Sequence, residues 1–220
     1  VSWNMGIAGA YPIVAGLEEY EKIRTALLKN IRTEGRLLCE FGLSSVDISA
    51  PYYDPEGYWN GRVWMAHQWV FWKALLDMGE VELASEMAHR ALKTYSKAER
   101  LQGHCFENFL VSTGKGAGTP HFGALSAPVL SFYCAYFTPG RVSSGFDSFI
   151  SDRENDDEGF PLKFTVNDLF RKPYNAGIVV VLMPDTEYEI NGQPVLTDKS
   201  GAVSFAVCVD KKAYVTIRRI

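Results

Sequence analysis

Two stretches of the chain concentrate residues suited to chemistry on a hydroxylated substrate. The first runs from Pro51 to Trp64 and sets Tyr52, Tyr53, Tyr58, Trp59 and Trp64 beside Asp54, Glu56, Asn60 and Arg62. A sugar ring has apolar C–H faces and hydroxyl edges. Flat aromatic rings suit the faces, and charged or amide side chains suit the edges. Trp69 and Trp72, further on, read as core residues. The second stretch opens at Glu107 and continues through Thr113-Gly114-Lys115-Gly116 to Gly118 and His121-Phe122. Glu107 lies between Phe106 and Phe109 in sequence, a weakly polar setting for a carboxylate that moves protons. The bland alternative is a surface or ion-paired glutamate. The glycines let the backbone turn sharply and approach a ligand. They do not form a phosphate loop, because GxxxxGK[ST] and a preceding strand are both lacking.

The elements that would position these stretches read as helices of two kinds. Leu17, Tyr20, Ile23, Leu27 and Ile31 mark one apolar stripe, with Glu18, Glu19, Glu21, Lys22 and Arg24 facing away. Val63 to Met78 is apolar on most sides and stops at Gly79, a good C-cap. Glu80 to Ala98 is again amphipathic, with Val81, Ala84, Met87, Ala91 and Tyr95 inward. Leu125 to Phe137 is apolar nearly all round, and Pro128 fits its first turn. The order wet, buried, wet, buried predicts two concentric helical layers. The long connections, 33–62 and 99–123, then open on one rim, where a site is built. Beyond residue 140, strands are expected over Gly177–Met183, Glu187–Ile190, Val203–Val209 and Ala213–Ile217, separated by turn signals such as Asn191-Gly192. The domain reading is therefore a helical part over residues 1–140, a charged linker over 141–159 and a small β-sandwich over 160–220.

Composition narrows the function classes. The chain has 220 residues, 47% of them hydrophobic, and a formal net charge of −4 without a basic run. A phosphate-tracking groove shows clustered Lys and Arg, so nucleic acid is not an expected partner. The most apolar stretch, Ala124 to Phe137, is too short to span a bilayer, so no membrane partner is expected either. Cys39, Cys105, Cys134 and Cys208 show no CxxC spacing and read as buried free thiols. No metal-ligand spacing and no cofactor motif emerges. The compartment stays open. The chain opens mid-pattern at Val1, which reads as a fragment or processed chain.

Tyr58-Trp59-Asn60-Gly61-Arg62-Val63-Trp64 resembles the YWRGPIW-type motif of glycoside hydrolase family 63. Glu107-Asn108-Phe109 followed by Thr113-Gly114-Lys115-Gly116 resembles that family's ENY…TGxG motif, and Gly42-Leu43-Ser44-Ser45-Val46 its lead-in. The resemblance covers roughly Trp3 to Phe137. It departs where Asn60 replaces a usual Arg, Arg62 a usual Pro, and where Phe122 runs directly into Gly123. It implies a mainly α fold: the C-terminal part of an (α/α)6 barrel, or toroid, followed by a small antiparallel β-domain. It also implies an inverting, exo-acting, α-glucosidase-like hydrolase of an oligosaccharide or small glycoside, with Glu107 as general base. Tyr58, Trp59, Asn60, Arg62, Trp64, Lys115 and His121 become the expected substrate contacts. The family's general acid is an Asp on an earlier barrel segment. Nothing here matches that segment, so the acid and the N-terminal portion of the barrel are expected upstream, and the truncated face is expected to favour oligomers.

Two carboxyl groups roughly 6.5–9.5 Å apart would straddle the bond in an inverting enzyme, one protonating the leaving oxygen and one activating water. Burial among apolar neighbours would raise the pKa of the base, and Arg62 or Lys115 would offset that. Asp54 and Glu56 are weaker candidates, because their Pro/Gly turn reads as exposed. The competing function is a noncatalytic carbohydrate-binding or structural fragment of the same fold. A sugar epimerase is disfavoured, because only His104 and His121 lie near the rim.

Overall fold

The computed structural model describes residues 6–7, 10, 21–169 and 173–220. Leu17, Tyr20, Glu18 and Glu19 of the first expected helix, and Trp3, lie outside them. Among the described residues the helices are α1 (Glu21–Arg32), α2 (Met65–Asp77), α3 (Val81–Gln102) and α4 (Gly123–Phe137). In α1, Leu28 and Ile31 are buried while Ile23 is exposed. The stop after α2 has a clear physical cause. Gly79 takes a left-handed φ of 70°, the Glu80 N–H reaches the Leu75 carbonyl, and the Gly79 N–H reaches the Leu76 carbonyl. This Schellman pattern satisfies carbonyls that the helix itself leaves open.

The remaining elements are strands. The first five are β1 (Leu38–Cys39), β2 (Gly42–Leu43), β3 (Arg62–Val63), β4 (Phe106–Leu110) and β5 (Gly116–Pro120). They are followed by β6 (Val142–Ser143), β7 (Ser148–Asn155), β8 (Pro161–Asp168), β9 (Tyr174–Val181), β10 (Glu187–Ile190), β11 (Gln193–Leu196), β12 (Ala202–Val209) and β13 (Lys212–Arg219).

These strands overturn the mainly α expectation. Among the described residues, four helices accompany four antiparallel sheets, and no second layer of helices forms an (α/α)6 barrel. Both expected rim loops contain strands instead. The reason is that an apolar helix face can be buried by strands as well as by other helices. Gln68 of α2 bonds both the N–H and the carbonyl of Leu43, and Arg90 and Thr94 of α3 donate to the carbonyls of Cys39 and Phe41. The expectation that α4 is buried all round fails too, since Leu130 and Tyr133 are exposed. Of the four thiols only Cys39 is buried, and burial pushes it up to about 11.

The chain divides into two units. Residues 1–72 and 85–132 form the first, and 73–84 with 133–220 form the second. In the first, Trp72 meets Phe132 edge-on at 5.4 Å and Tyr95 meets Phe109 at 6.2 Å. In the second, a sheet of order β11-β10-β13-β8-β7 and one of order β12-β9-β6 share a core that includes Phe164, Ile178, Tyr188, Val207 and Val215. The stretch expected as a linker carries β6 and β7. Its acidic residues shape the β7–β8 turn, where Asp156 accepts the N–H groups of Glu158 and Phe160. No described helix is long and apolar enough to cross a membrane.

Candidate active site

Glu107 sits on β4, the central strand of the sheet β3-β4-β5, and not in a loop. Its sequence neighbours Phe106 and Phe109 are buried, whereas Glu107 itself is half-exposed. The hydrogen-bonding contacts of the carboxylate are polar, and the apolar surroundings expected from sequence are not what holds it.

What does surround it is a set of neutral donors. The Tyr58 hydroxyl donates to one carboxylate oxygen and the Thr119 N–H donates to the other at 3.1 Å. The Tyr58 hydrogen bond, followed by that from Thr119, holds the Glu107 carboxyl below its usual range. Arg62 adds a smaller attraction. Lys115 is not among the causes. It lies at the exposed β4–β5 turn, where the Leu110 N–H meets its carbonyl.

Gly118 makes this arrangement feasible. Its φ is 72°, and a Cβ there would lie 2.6 Å from a Glu107 carboxylate oxygen and 2.7 Å from the Asn108 amide nitrogen. Gly116 is required for packing, since its Cβ would enter the Phe106 ring at 2.1 Å. Both glycines thus make room for protein side chains, which differs from the ligand approach expected of them.

The 51–64 segment folds onto β4 through its own side chains. The Asn60 amide donates to the Tyr52 carbonyl at 2.9 Å, and the Trp64 indole N–H donates to the Tyr58 carbonyl at 3.3 Å. Arg62 donates to the Glu56 carbonyl at 2.9 Å and to the Asn108 side-chain oxygen at 3.1 Å. Asn60 and Arg62, expected as sugar contacts, therefore brace the segment. Asp54 accepts the Glu56 N–H at 3.0 Å and shapes the turn. The lead-in also has a place: Ser44 bridges Val63, and the Ser45 N–H donates to the Arg62 carbonyl at 3.0 Å.

An aromatic floor results. Trp59 stacks on Trp64 with centroids 4.3 Å apart and planes 5° from parallel, and Tyr58 stands edge-on to both at 5.2 and 4.9 Å. Trp59 is 59% exposed, so one ring face is open to a ligand. His121 lies past the end of β5 with a left-handed φ of 59°. Its ring is 4.3 Å from that of His104.

Sequence reasoning missed Asn108, Thr119 and Gln68. Asn108 is fully buried, and its amide nitrogen has no acceptor among the described residues. Its signal was a polar residue inside the apolar run from Phe106 to Val111, since a buried amide has a structural or functional reason to be there. Thr119 acts through its backbone N–H, with a smaller contribution from its hydroxyl, and a lone threonine carries no distinctive sequence signal.

Residues 2–123 match the model of a family described as the mannosylglycerate hydrolase MGH1-like glycoside hydrolase domain. The mannosylglycerate hydrolase MGH2 of Selaginella moellendorffii is 30% identical over 127 residues, covering 57% of this chain and 24% of that protein. The mannosyl-oligosaccharide glucosidase of Saccharomyces cerevisiae is 28% identical over 111 residues, covering 44% of this chain and 13% of that protein. A solved structure, the family 63 mannosylglycerate hydrolase of Thermus thermophilus in complex with glucose, superposes with a TM-score of 0.50 at 26% identity. It covers 60% of this chain and 30% of its own. The chain thus spans about a quarter of the length of the first curated relative. With more than half of its residues matched, including Tyr58, Trp59 and Glu107, the chain belongs to the MGH1-like glycoside hydrolases of family 63.

Proposed function

We propose that this chain carries the general-base half of an inverting, exo-acting glycosidase, with Glu107 as the base. The observation that carries the reading is the carboxylate held between the Tyr58 hydroxyl and the Thr119 N–H, with Tyr58 itself standing edge-on to the exposed Trp59. A carboxylate offers about four acceptor sites, and the Tyr58 hydroxyl with the N–H and hydroxyl of Thr119 use three of them. The remaining one faces a water that attacks the anomeric carbon while Glu107 takes its proton. Because hydrogen bonds favour the charged form, the base stays ionised in mildly acidic solution.

The substrate is a terminal hexoside whose ring lies against Trp59. Relatives named as a mannosylglycerate hydrolase and a mannosyl-oligosaccharide glucosidase support a glucose or mannose unit, and the α-glucosidase-like resemblance makes its linkage α. The general acid is assigned to a part of the enzyme outside these residues, in keeping with relatives about four times longer than the aligned segment.

The stereochemistry of the first product tests the mechanism. Proton NMR during hydrolysis of mannosylglycerate and of an α-glucosyl oligosaccharide by the whole enzyme should show the β-anomer forming first. Initial α-anomer would require a covalent intermediate and a nucleophilic carboxylate, and would remove the general-base role from Glu107.

A further inference from the structure

The five-stranded sheet of the second unit carries a hollow on the face turned away from its core. Two cross-strand rows build it. Tyr214 pairs with Thr165, which pairs with Ser151, and Thr216 pairs with Lys163, which pairs with Glu154. Side chains two apart along a strand share a face, so Tyr214, Thr216, Thr165 and Lys163 line one surface. Their neighbours Val215 and Phe164 point into the core. The hollow measures about 380 Å³ and is bordered by Asp152 and Glu154.

Three features distinguish it from an ordinary solvated sheet face. First, Tyr214 is 72% exposed, so a flat aromatic ring borders the hollow with its face free for an apolar ligand surface. Second, β7 bulges between Ser151 and Glu154, so one extra residue opposes β8 and re-aims the side chains. Third, Asp152 within that bulge takes φ 49°, a left-handed conformation that Asp adopts more readily than most residues, and it sets the carboxylate at the border of the hollow. The Ser151 hydroxyl donates to the Asp152 carboxylate at 2.8 Å, and this bond, then one from Thr165, holds the carboxyl below its usual range.

The charge pattern selects the ligand. An anion would meet Asp152 and Glu154. A cation would meet Lys163, which already neutralises Glu154 at 2.8 Å. A peptide strand adding at the β7 edge would meet the bulge, which interrupts regular pairing. A neutral ring with an apolar face and hydroxyl edges fits all three. Its face lies on Tyr214, and its hydroxyls donate to Asp152 and to the Thr216 hydroxyl oxygen and accept from Lys163. We propose that this hollow is a noncatalytic subsite for one pyranose unit of a carbohydrate, separate from the Glu107 site.

The proposal rests on membership of the glycoside hydrolases only for the choice of probes. Nitrogen–proton NMR of the full chain, titrated with maltotriose and separately with an α-linked mannobiose at millimolar concentration, tests it. Either sugar should shift the amides of Asp152, Thr165, Tyr214 and Thr216. Tyr214→Ala, which removes an exposed ring without disturbing the core, should weaken that response about tenfold or more. Trp59→Ala should leave it in place, even if the Glu107 assignment fails. Shifts at those four amides that persist in Tyr214→Ala would overturn the proposal. So would shifts confined to residues 58–64 and 107–119, a response to calcium chloride with both sugars silent, or no response at all.

Discussion

The Tyr58 hydroxyl donates a hydrogen bond to the Glu107 carboxylate across 49 residues of sequence, joining the aromatic segment to the β4–β5 hairpin. One contact thus orients the proposed base and keeps it charged. Tyr58→Phe removes both effects while retaining the ring that stands edge-on to Trp59 and Trp64. Since this hydrogen bond is the largest influence lowering the Glu107 pKa, its loss raises that pKa. The acid limb of the kcat/KM profile therefore moves to higher pH. Loss of positioning lowers kcat by about 10–100-fold at the optimum. A variant with an unmoved acid limb would show that Tyr58 does not act through Glu107.

Trp59 is stacked on one face and open on the other. Trp59→Ala should raise KM by about fivefold, since a ring contact of this kind contributes ~1 kcal/mol. The kcat should change far less, because proton transfer is untouched. Steady-state kinetics on the complete enzyme separate the two. A collapsed kcat with unchanged KM would contradict a binding role.

Gly118 and Gly103 form a matched pair for testing the shape of the hairpin. Both have φ of 72°, but a Cβ on Gly103 meets nothing within 4 Å, whereas one on Gly118 meets the Glu107 carboxylate. Each change to Ala costs about 1–2 kcal/mol of left-handed strain. Only Gly118→Ala should also displace the carboxylate and lower kcat more than about tenfold. Thermal melts and turnover of the two variants make the comparison, and equal activities would show that Gly118 serves the backbone alone.

Asp77 lies at the end of α2 and accepts the N–H groups of Phe146 and Asp147 at 2.8 and 2.9 Å. Burial nevertheless pushes its carboxyl from 3.8 up to about 7. Between those values the folded chain keeps a proton that the unfolded chain has released. The associated stability is thus fully present below pH 3.8 and lost as pH rises to about 7. Relative to Asp77→Asn, the natural chain should lose melting temperature across that interval. Parallel curves from about pH 4 to 8 would place the Asp77 pKa near its ordinary value.

Several features of the fold and site could be read from residue patterns, and others could not. The end of α2 was legible because Gly79 has one job that no other residue does as well. The strands near 177–183 and 203–209 showed through their β-branched runs, now β9 and β12. The layer architecture was misread because an apolar helix face says that it is covered, not by what. The β4–β5 hairpin escaped notice because Gly114 to Gly118 reads as loop, although Gly116 and Gly118 are paired or packed against β4. In the site, Tyr58, Trp59 and Glu107 stood out by type. The bracing uses of Asn60 and Arg62 depend on backbone carbonyls, which every residue carries and no sequence pattern marks.

Glu107→Gln in the complete enzyme, measured beside Asp54→Asn, bears most directly on the central claim. Glutamine preserves the shape and keeps one acceptor oxygen for the Thr119 N–H, with its NH2 turned to the Tyr58 hydroxyl oxygen, but it cannot take a proton from water. General-base catalysis typically contributes about 10²–10⁴-fold, so kcat should fall by that factor with KM nearly constant. Asp54, whose carboxylate caps its own turn at the Glu56 N–H, should lose little activity as Asn. Near-normal turnover in Glu107→Gln together with a collapse in Asp54→Asn would contradict the assignment and move the base to the 51–64 segment.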